Sequence, residues 1–289
     1  MPTDSYVTLP LDRPGRPAGP ELLERRAKFS ATEIDPSLAV QVDDTQYAGV
    51  QCRTIRGGER GTILYLHGGG FRMGSPEAYH AHAARLAAGA EVTVVLPRYR
   101  LAPESPYPAG LRDVLAAYEG VASTPGEPIV VAGDSAGAGL AAAVVVAVRD
   151  CGIRTPDGLM LMSPWLDLHC SSPFYETATD PYFPAETARS ARDDYLQGTS
   201  AADPMVSPLL AEHEGFPPTL IQVGAHEALV GDALDLARGL ATADVACTLE
   251  VAAGQGHTWP LIQPDAEISI ASVDSCVRFV RAIVDARRK

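Results

Sequence analysis

The sequence predicts an α/β protein: a mainly parallel central sheet with helices on both faces. Three observations carry that expectation. Short, mainly apolar runs at 62–66, 91–96, 128–132, 159–162 and 219–223 recur with helical stretches between them, the pattern of strands covered on both sides. One of them, Pro128-Ile129-Val130-Val131-Ala132, passes through Gly133-Asp134-Ser135-Ala136-Gly137 straight into an alanine- and valine-rich helix. Another, Thr62-Ile63-Leu64-Tyr65-Leu66, opens onto His67-Gly68-Gly69-Gly70.

Taken in order, residues 1–20 are rich in proline and are expected to lie loosely on the surface. Residues 21–29 place Leu22, Leu23 and Arg26 at helical spacing. Val40 and Val42, then Val50, Cys52 and Ile55, alternate with polar residues around a break at Ala48-Gly49, which predicts an antiparallel pair of strands. The apolar runs follow as strands, with helices expected at 76–88, 109–121, 138–148 and 266–286. From Ser171 to Pro218 the alternation stops, leaving one convincing helix at 185–197 in a span rich in Pro, Ser and Asp. Strands resume at 219–223 and 247–251, so the interruption reads as a cap inserted over the strand ends rather than a linker.

Composition excludes several classes. The chain has 289 residues, 46% hydrophobic and 20% charged, with net charge −13, which fits a water-soluble globular protein. Nucleic acid and anionic membranes would be repelled at long range, so neither is an expected partner. Five scattered cysteines, Cys52, Cys151, Cys170, Cys247 and Cys276, form no C-x-x-C pair. They are expected to be reduced and mostly buried in a cytoplasmic protein, with no metal site. The N-terminus shows no basic start followed by an apolar run, and the longest apolar stretch, 140–148, is too short to span a bilayer.

The two glycine motifs carry chemistry. A serine between glycines at a strand-to-helix turn has the spacing of a nucleophile elbow, where a side chain in place of either glycine would collide across the turn. It holds a hydroxyl above the sheet, at the positive end of a helix. Three successive glycines after a strand suit either positive φ angles or close approach of N–H groups to an anion. With no G-K-[ST] and no G-x-G-x-x-G, a transient oxyanion is a better candidate than a nucleotide phosphate.

His67-Gly68-Gly69-Gly70, Tyr99-Arg100-Leu101-Ala102-Pro103-Glu104, Gly133-Asp134-Ser135-Ala136-Gly137 and Ser163-Pro164-Trp165 together resemble the bacterial hormone-sensitive-lipase-like (family IV) esterases of the α/β-hydrolase fold. The likeness runs from about residue 60 to the C-terminus. It implies a core of 39–170 and 213–289, an N-terminal segment 1–38 forming part of a small helical cap, and a cap insertion at 171–212. It also implies an oxyanion hole from the N–H groups of Gly69, Gly70 and Ala136. Chain order in this fold is Ser, acid, His. His67 belongs to the glycine loop; His80, His82, His169 and His213 come too early, and His226 is too close to the acid, which leaves His257. The acid is Glu227 by register with the family's aspartate, with Asp232 as the alternative, or else an exposed residue in the first turn of the next helix. Three positions depart from the family pattern: Ala138, Arg98 and Gln255.

The implied activity is a cofactor-independent serine carboxylesterase, with Ser135, Glu227 and His257 catalytic and a small-molecule ester as substrate; a homodimer is left open. Open alternatives are a deacetylase, lactonase or acyl-transfer enzyme of a biosynthetic pathway, or a non-catalytic ligand-binding protein on the same scaffold. His257 argues against the last, because the plant gibberellin receptors, which resemble this family, lack the triad histidine.

Overall fold

A computed structural model of the chain describes residues 8–288; the expectation for the first seven residues lies outside it. Eight strands, β1 (Gln41–Tyr47), β2 (Val50–Arg56), β3 (Thr62–Leu66), β4 (Thr93–Pro97), β5 (Ile129–Asp134), β6 (Gly158–Met162), β7 (Thr219–Gly224) and β8 (Cys247–Ala252), form one sheet in the order β1-β2-β4-β3-β5-β6-β7-β8. β1 and β2 form the expected antiparallel hairpin, and β2 also pairs antiparallel with β4. The remaining pairings are parallel. The central strands β3, β5, β6 and β7 are buried along their whole length, which is why they read as unbroken apolar runs.

The helices are α1 (Pro20–Ala27), α2 (His80–Ala90), α3 (Ala109–Ala122), α4 (Ser135–Asp150), α5 (Phe174–Thr177), α6 (Ala185–Leu196), α7 (Val230–Thr242), α8 (Trp259–Ile262) and α9 (Glu267–Arg287). α3, α4 and α7 bury their apolar faces in one core with Leu64, Leu66, Val131, Leu161 and Ile221. α2 and α9 close the opposite face over Ile63, Tyr65, Val130 and Met160. Strand residues of alternate parity thus feed two cores, as the period of two requires. α4 is the central helix: Ser135 through Val148 are all buried, so it reads as apolar all round rather than amphipathic.

The connection from β3 to β4 runs to one side of β3 and that from β4 to β5 to the other. The order in which strands are added therefore switches sides between the parallel neighbours β3 and β5, and the loops leaving their carboxyl ends open a crevice there. His67-Gly68-Gly69-Gly70 leaves β3 and Ser135 leaves β5 across a pairing that sets Leu66 beside Gly133. The motifs separated in sequence by more than sixty residues meet for that topological reason.

The N-terminal stretch is held more firmly than its composition suggests. The Gly15 and Arg16 N–H groups donate to Glu104 and Pro103 carbonyls at 3.1 Å each, and Asp12 takes hydrogen bonds from Arg100 and Arg112. Arg16 pairs with Asp194 on α6. Proline richness removed helical propensity but left fixed side-chain anchors. α1 then docks through buried Leu22, and Arg26 donates to the Arg72 and Ala102 carbonyls at 2.7 and 2.8 Å and pairs with Glu104. Leu23, on the other face, is exposed.

Candidate active site

Ser135 stands at the junction of β5 and α4 with φ at +52°, a left-handed conformation that is strained for a residue with a Cβ. The turn is as tight as the glycines imply. A Cβ at Gly137 would collide with the Leu66 carbonyl, and one at Gly133 with the Gly137 carbonyl. The hydroxyl of Ser135 lies 2.9 Å from His257 Nε2, and His257 Nδ1 lies 2.8 Å from Glu227 Oε2. The arrangement fixes a tautomer. Nδ1–H donates to the carboxylate, which leaves Nε2 as acceptor for the serine proton.

Glu227 sits in the turn between β7 and α7, with 1% of its surface exposed. Its second oxygen accepts from Ser163 Oγ at 2.7 Å and from the Gly224 N–H at 2.6 Å. Ser163 Oγ in turn accepts from the Thr258 N–H at 3.0 Å. Three segments, those carrying Ser163, Gly224 and His257, thereby lock one carboxylate in place. The Ser-Pro-Trp motif was legible in the sequence but its part here was not: Ser163 ties the acid to the residue after the histidine. The Trp165 N–H also donates to the Ser135 carbonyl at 3.2 Å.

Residues of the 171–212 segment reach the histidine as well. Asp180, buried, accepts from the His257 N–H and, at 2.8 Å, from the Tyr182 N–H. The Phe183 ring lies flat on the imidazole, with centroids 4.8 Å apart and planes at 18°. Nothing local in the sequence singles out Asp180, which lies 77 positions before its partner.

The glycine loop is shaped by what surrounds it. Gly69 and Gly70 adopt φ of +112° and +61°, conformations that side chains disfavour. His67 stacks on Tyr99 with centroids 4.3 Å apart, and burial lowers its pKa to about 4, so it is a neutral structural ring. Tyr99 OH donates to the His67 carbonyl at 2.6 Å and the Ala102 N–H donates to the Phe71 carbonyl at 2.9 Å. The Tyr99–Glu104 motif is therefore the brace of the loop. From below, Asp134 accepts from the Gly68 N–H at 2.9 Å and from Tyr79 and Tyr65 hydroxyls at 3.0 and 3.2 Å. Burial pushes its carboxyl up to about 6 against those donors.

Ser135, His257, Gly69 and Gly70 line a cavity of about 300 Å³ closed by Phe29, Met73, Tyr182, Phe183, Ala191 and Ile262. Ala136, the second residue of α4, is buried beside it. A larger cleft of about 570 Å³ lies along α7, is lined by several carboxylates, and contains none of these groups. Among the described residues no group of three His, Cys, Asp or Glu side chains converges as a metal site, and no helix is long and apolar enough to cross a membrane. Of the cysteines, Cys52, Cys170 and Cys276 are buried and all five are free thiols.

Asp232 is neither beside the histidine nor exposed. It is 1% exposed in the first turn of α7, and one of its oxygens accepts from the Leu166 and Asp167 N–H groups at 2.8 and 2.9 Å. It fastens the segment after β6. Burial, with the charges of Asp167 and Asp235 nearby, raises its pKa from 3.8 to about 7. A raised acid binds its proton more tightly in the folded state, so its contribution favours folding below about pH 4 and is lost as pH rises to about 7. Asp232→Asn keeps the acceptor and removes the charge. In urea titrations, the variant is expected to lose less stability than the parent between about pH 5 and pH 8; parallel pH slopes would show that the carboxyl titrates normally.

The positions that depart from the family pattern have plain surroundings. Arg98 forms an ion pair with Glu77, Ala138 is buried within α4, and the Gln255 carbonyl accepts from the His226 N–H at 3.0 Å in the turn before His257.

Residues 63–261 match a family described as having the alpha/beta hydrolase fold. An acetyl-hydrolase of Streptomyces hygroscopicus is 38% identical over 207 residues, which is 70% of this chain and 69% of that protein. An esterase of Acinetobacter venetianus is 31% identical over 81% of this chain and 80% of its own length. The crystal structure of an esterase from the bacterial hormone-sensitive lipase family superposes with a TM-score of 0.87 at 31% identity, covering 93% of each chain.

Proposed function

The chain belongs to the bacterial hormone-sensitive-lipase family of α/β-hydrolases and is an esterase-type hydrolase, and from that premise we propose a serine carboxylesterase acting on short to medium acyl esters through Ser135, His257 and Glu227. The observation that carries this reading is the unbroken relay from Ser135 Oγ through His257 to Glu227, at 2.9 and 2.8 Å, opening into the 300 Å³ cavity. His257 Nε2 takes the serine proton as Oγ attacks the ester carbonyl, and Glu227 stabilises the imidazolium that forms. The N–H groups of Gly69, Gly70 and Ala136 receive the oxyanion. The proton then passes to the departing alcohol, and water repeats the sequence on the acyl-enzyme.

We read residues 1–38 and 171–212 as the cap, because Arg25, Phe29, Tyr182, Phe183, Thr187 and Ala191 wall the cavity. A cavity of that size has room for a short to medium acyl group and excludes long chains. The Streptomyces relative, named an acetyl-hydrolase, puts acetyl at the small end of the proposed range. With p-nitrophenyl esters, kcat/KM is expected to peak at roughly two to eight acyl carbons, with no jump in rate above the solubility limit. Preference for emulsified long-chain triacylglycerol would overturn the size assignment, whereas a parent enzyme that neither turns over these esters nor takes an organophosphate on Ser135 would overturn the reading itself.

A further inference from the structure

The wall of the catalytic cavity carries positive charge that hydrolysis of a plain alkyl ester does not use. Arg25, half-buried on α1, lines the cavity, and no ion pair or side-chain hydrogen bond joins it to any described residue. Arg72, directly after the glycine loop, is only 6% exposed and lines the same cavity. Its Nη1 donates to Asp194 at 2.7 Å and to Ser190 at 3.1 Å, while its Nε is buried with no acceptor. Asp194 is shared, because Arg16 pairs with it too. Two guanidinium groups on one carboxylate leave a positive charge in excess, and Arg25 adds another.

The acids nearby are turned to other partners and form no ion pair with Arg25. Glu227 is turned to the His257 Nδ1–H, the Ser163 hydroxyl and the Gly224 N–H. Asp134 faces Gly68, Tyr65 and Tyr79 beneath the serine. Glu21 and Glu186 border the outer cleft that Arg25 and Arg72 also line, and neither forms an ion pair with them. The chain as a whole carries −13 and repels anions at long range. Within about 10 Å, the distance over which salt screens charge, the local pair of cations decides.

We propose that the ester this enzyme is built for carries a second, anionic group, a carboxylate or a phosphate, which Arg25 and Arg72 receive while the scissile carbonyl lies at Ser135. The proposal rests on Ser135 being the nucleophile, and it selects monoanionic esters from the short esters that fit the cavity.

Two matched substrate pairs test it. 4-Acetoxybenzoate against its methyl ester places the charge on the alcohol side; monomethyl adipate against methyl hexanoate places it on the acyl side. The quantity read is the kcat/KM ratio, anionic over neutral, compared between the parent enzyme and Arg25→Glu, so that intrinsic ester reactivity cancels. In at least one pair the variant is expected to lower that ratio by about tenfold or more, the size typical of a lost charge-assisted hydrogen bond. Arg25→Lys is expected to restore most of it. Raising salt to about 0.5 M is expected to shrink the ratio for the parent and not for Arg25→Glu. A ratio that moves less than about twofold in both pairs overturns the proposal while leaving the esterase reading intact. Failure of the parent enzyme on all four esters, with Ser135 unlabelled by an organophosphate, overturns both.

Discussion

Ser135→Ala is expected to lower kcat for ester hydrolysis by roughly 10⁵–10⁶-fold while leaving the fold intact. The size follows from the geometry. Ser135 Oγ is the atom at the open end of the relay, 2.9 Å from His257 Nε2, and without it neither the covalent intermediate nor the proton transfer can begin. The residue left behind still has the cavity and the glycine N–H groups, so some rate above water remains. Stability is not expected to fall, because the +52° φ of Ser135 is strain that the alanine also bears and, among the described residues, the hydroxyl is bonded only to the histidine. The check is single-turnover kinetics together with covalent labelling by an organophosphate. A variant that still takes the label would move the nucleophile elsewhere.

Glu227→Ala is expected to cost roughly 10³–10⁴-fold in kcat, through loss of the tautomer and of the charge that stabilises the imidazolium. It also strands three buried donors, Ser163 Oγ, the Gly224 N–H and His257 Nδ1. About 1–3 kcal/mol of stability per unsatisfied group is therefore expected to go with it. Glu227→Gln separates the two effects: its amide oxygen can still accept, so the fold holds, but a neutral group cannot offset the imidazolium, so most of the rate loss remains. Asp232→Ala is expected to behave oppositely, loosening the Leu166–Asp167 backbone it fastens and changing kcat by about tenfold or less. Parent-like turnover in Glu227→Gln with a collapsed rate in Asp232→Ala would transfer the role.

The strands were legible because burial on both faces writes itself as unbroken apolar runs, and the β1–β2 hairpin because one-sided burial writes itself as alternation. Ser135 and the glycine loop were legible for a different reason: their backbone geometry excludes most side chains, so the constraint is local. Glu227 could be reached only through the family register, since a carboxylate three residues or eight residues beyond a strand looks the same in sequence. The burial of Asp232 and the reach of Asp180 could not be read at all. Each depends on backbone N–H groups supplied from far along the chain, 66 positions away for Asp232 and 77 for Asp180, and such partners leave no periodic trace. Arg72 is a related case. A charged residue two positions after the last loop glycine suggests solvent, and only the fold reveals Asp194 waiting for it.

Asp180 and Phe183 hold the backbone and the ring face of His257, and their neighbours Tyr182 and Thr187 wall the cavity. On the proposed mechanism the same short stretch therefore shapes what enters and aims the base that acts on it. In evolutionary terms the two properties share one set of mutations: a change between 179 and 187 that opens room for a bulkier ester also frees the imidazole to swing, so broader choice arrives with slower turnover. Lineages diversifying this scaffold would escape that bind most easily from the other wall, at Arg25 and Phe29, where the chain touches the substrate space without touching the histidine.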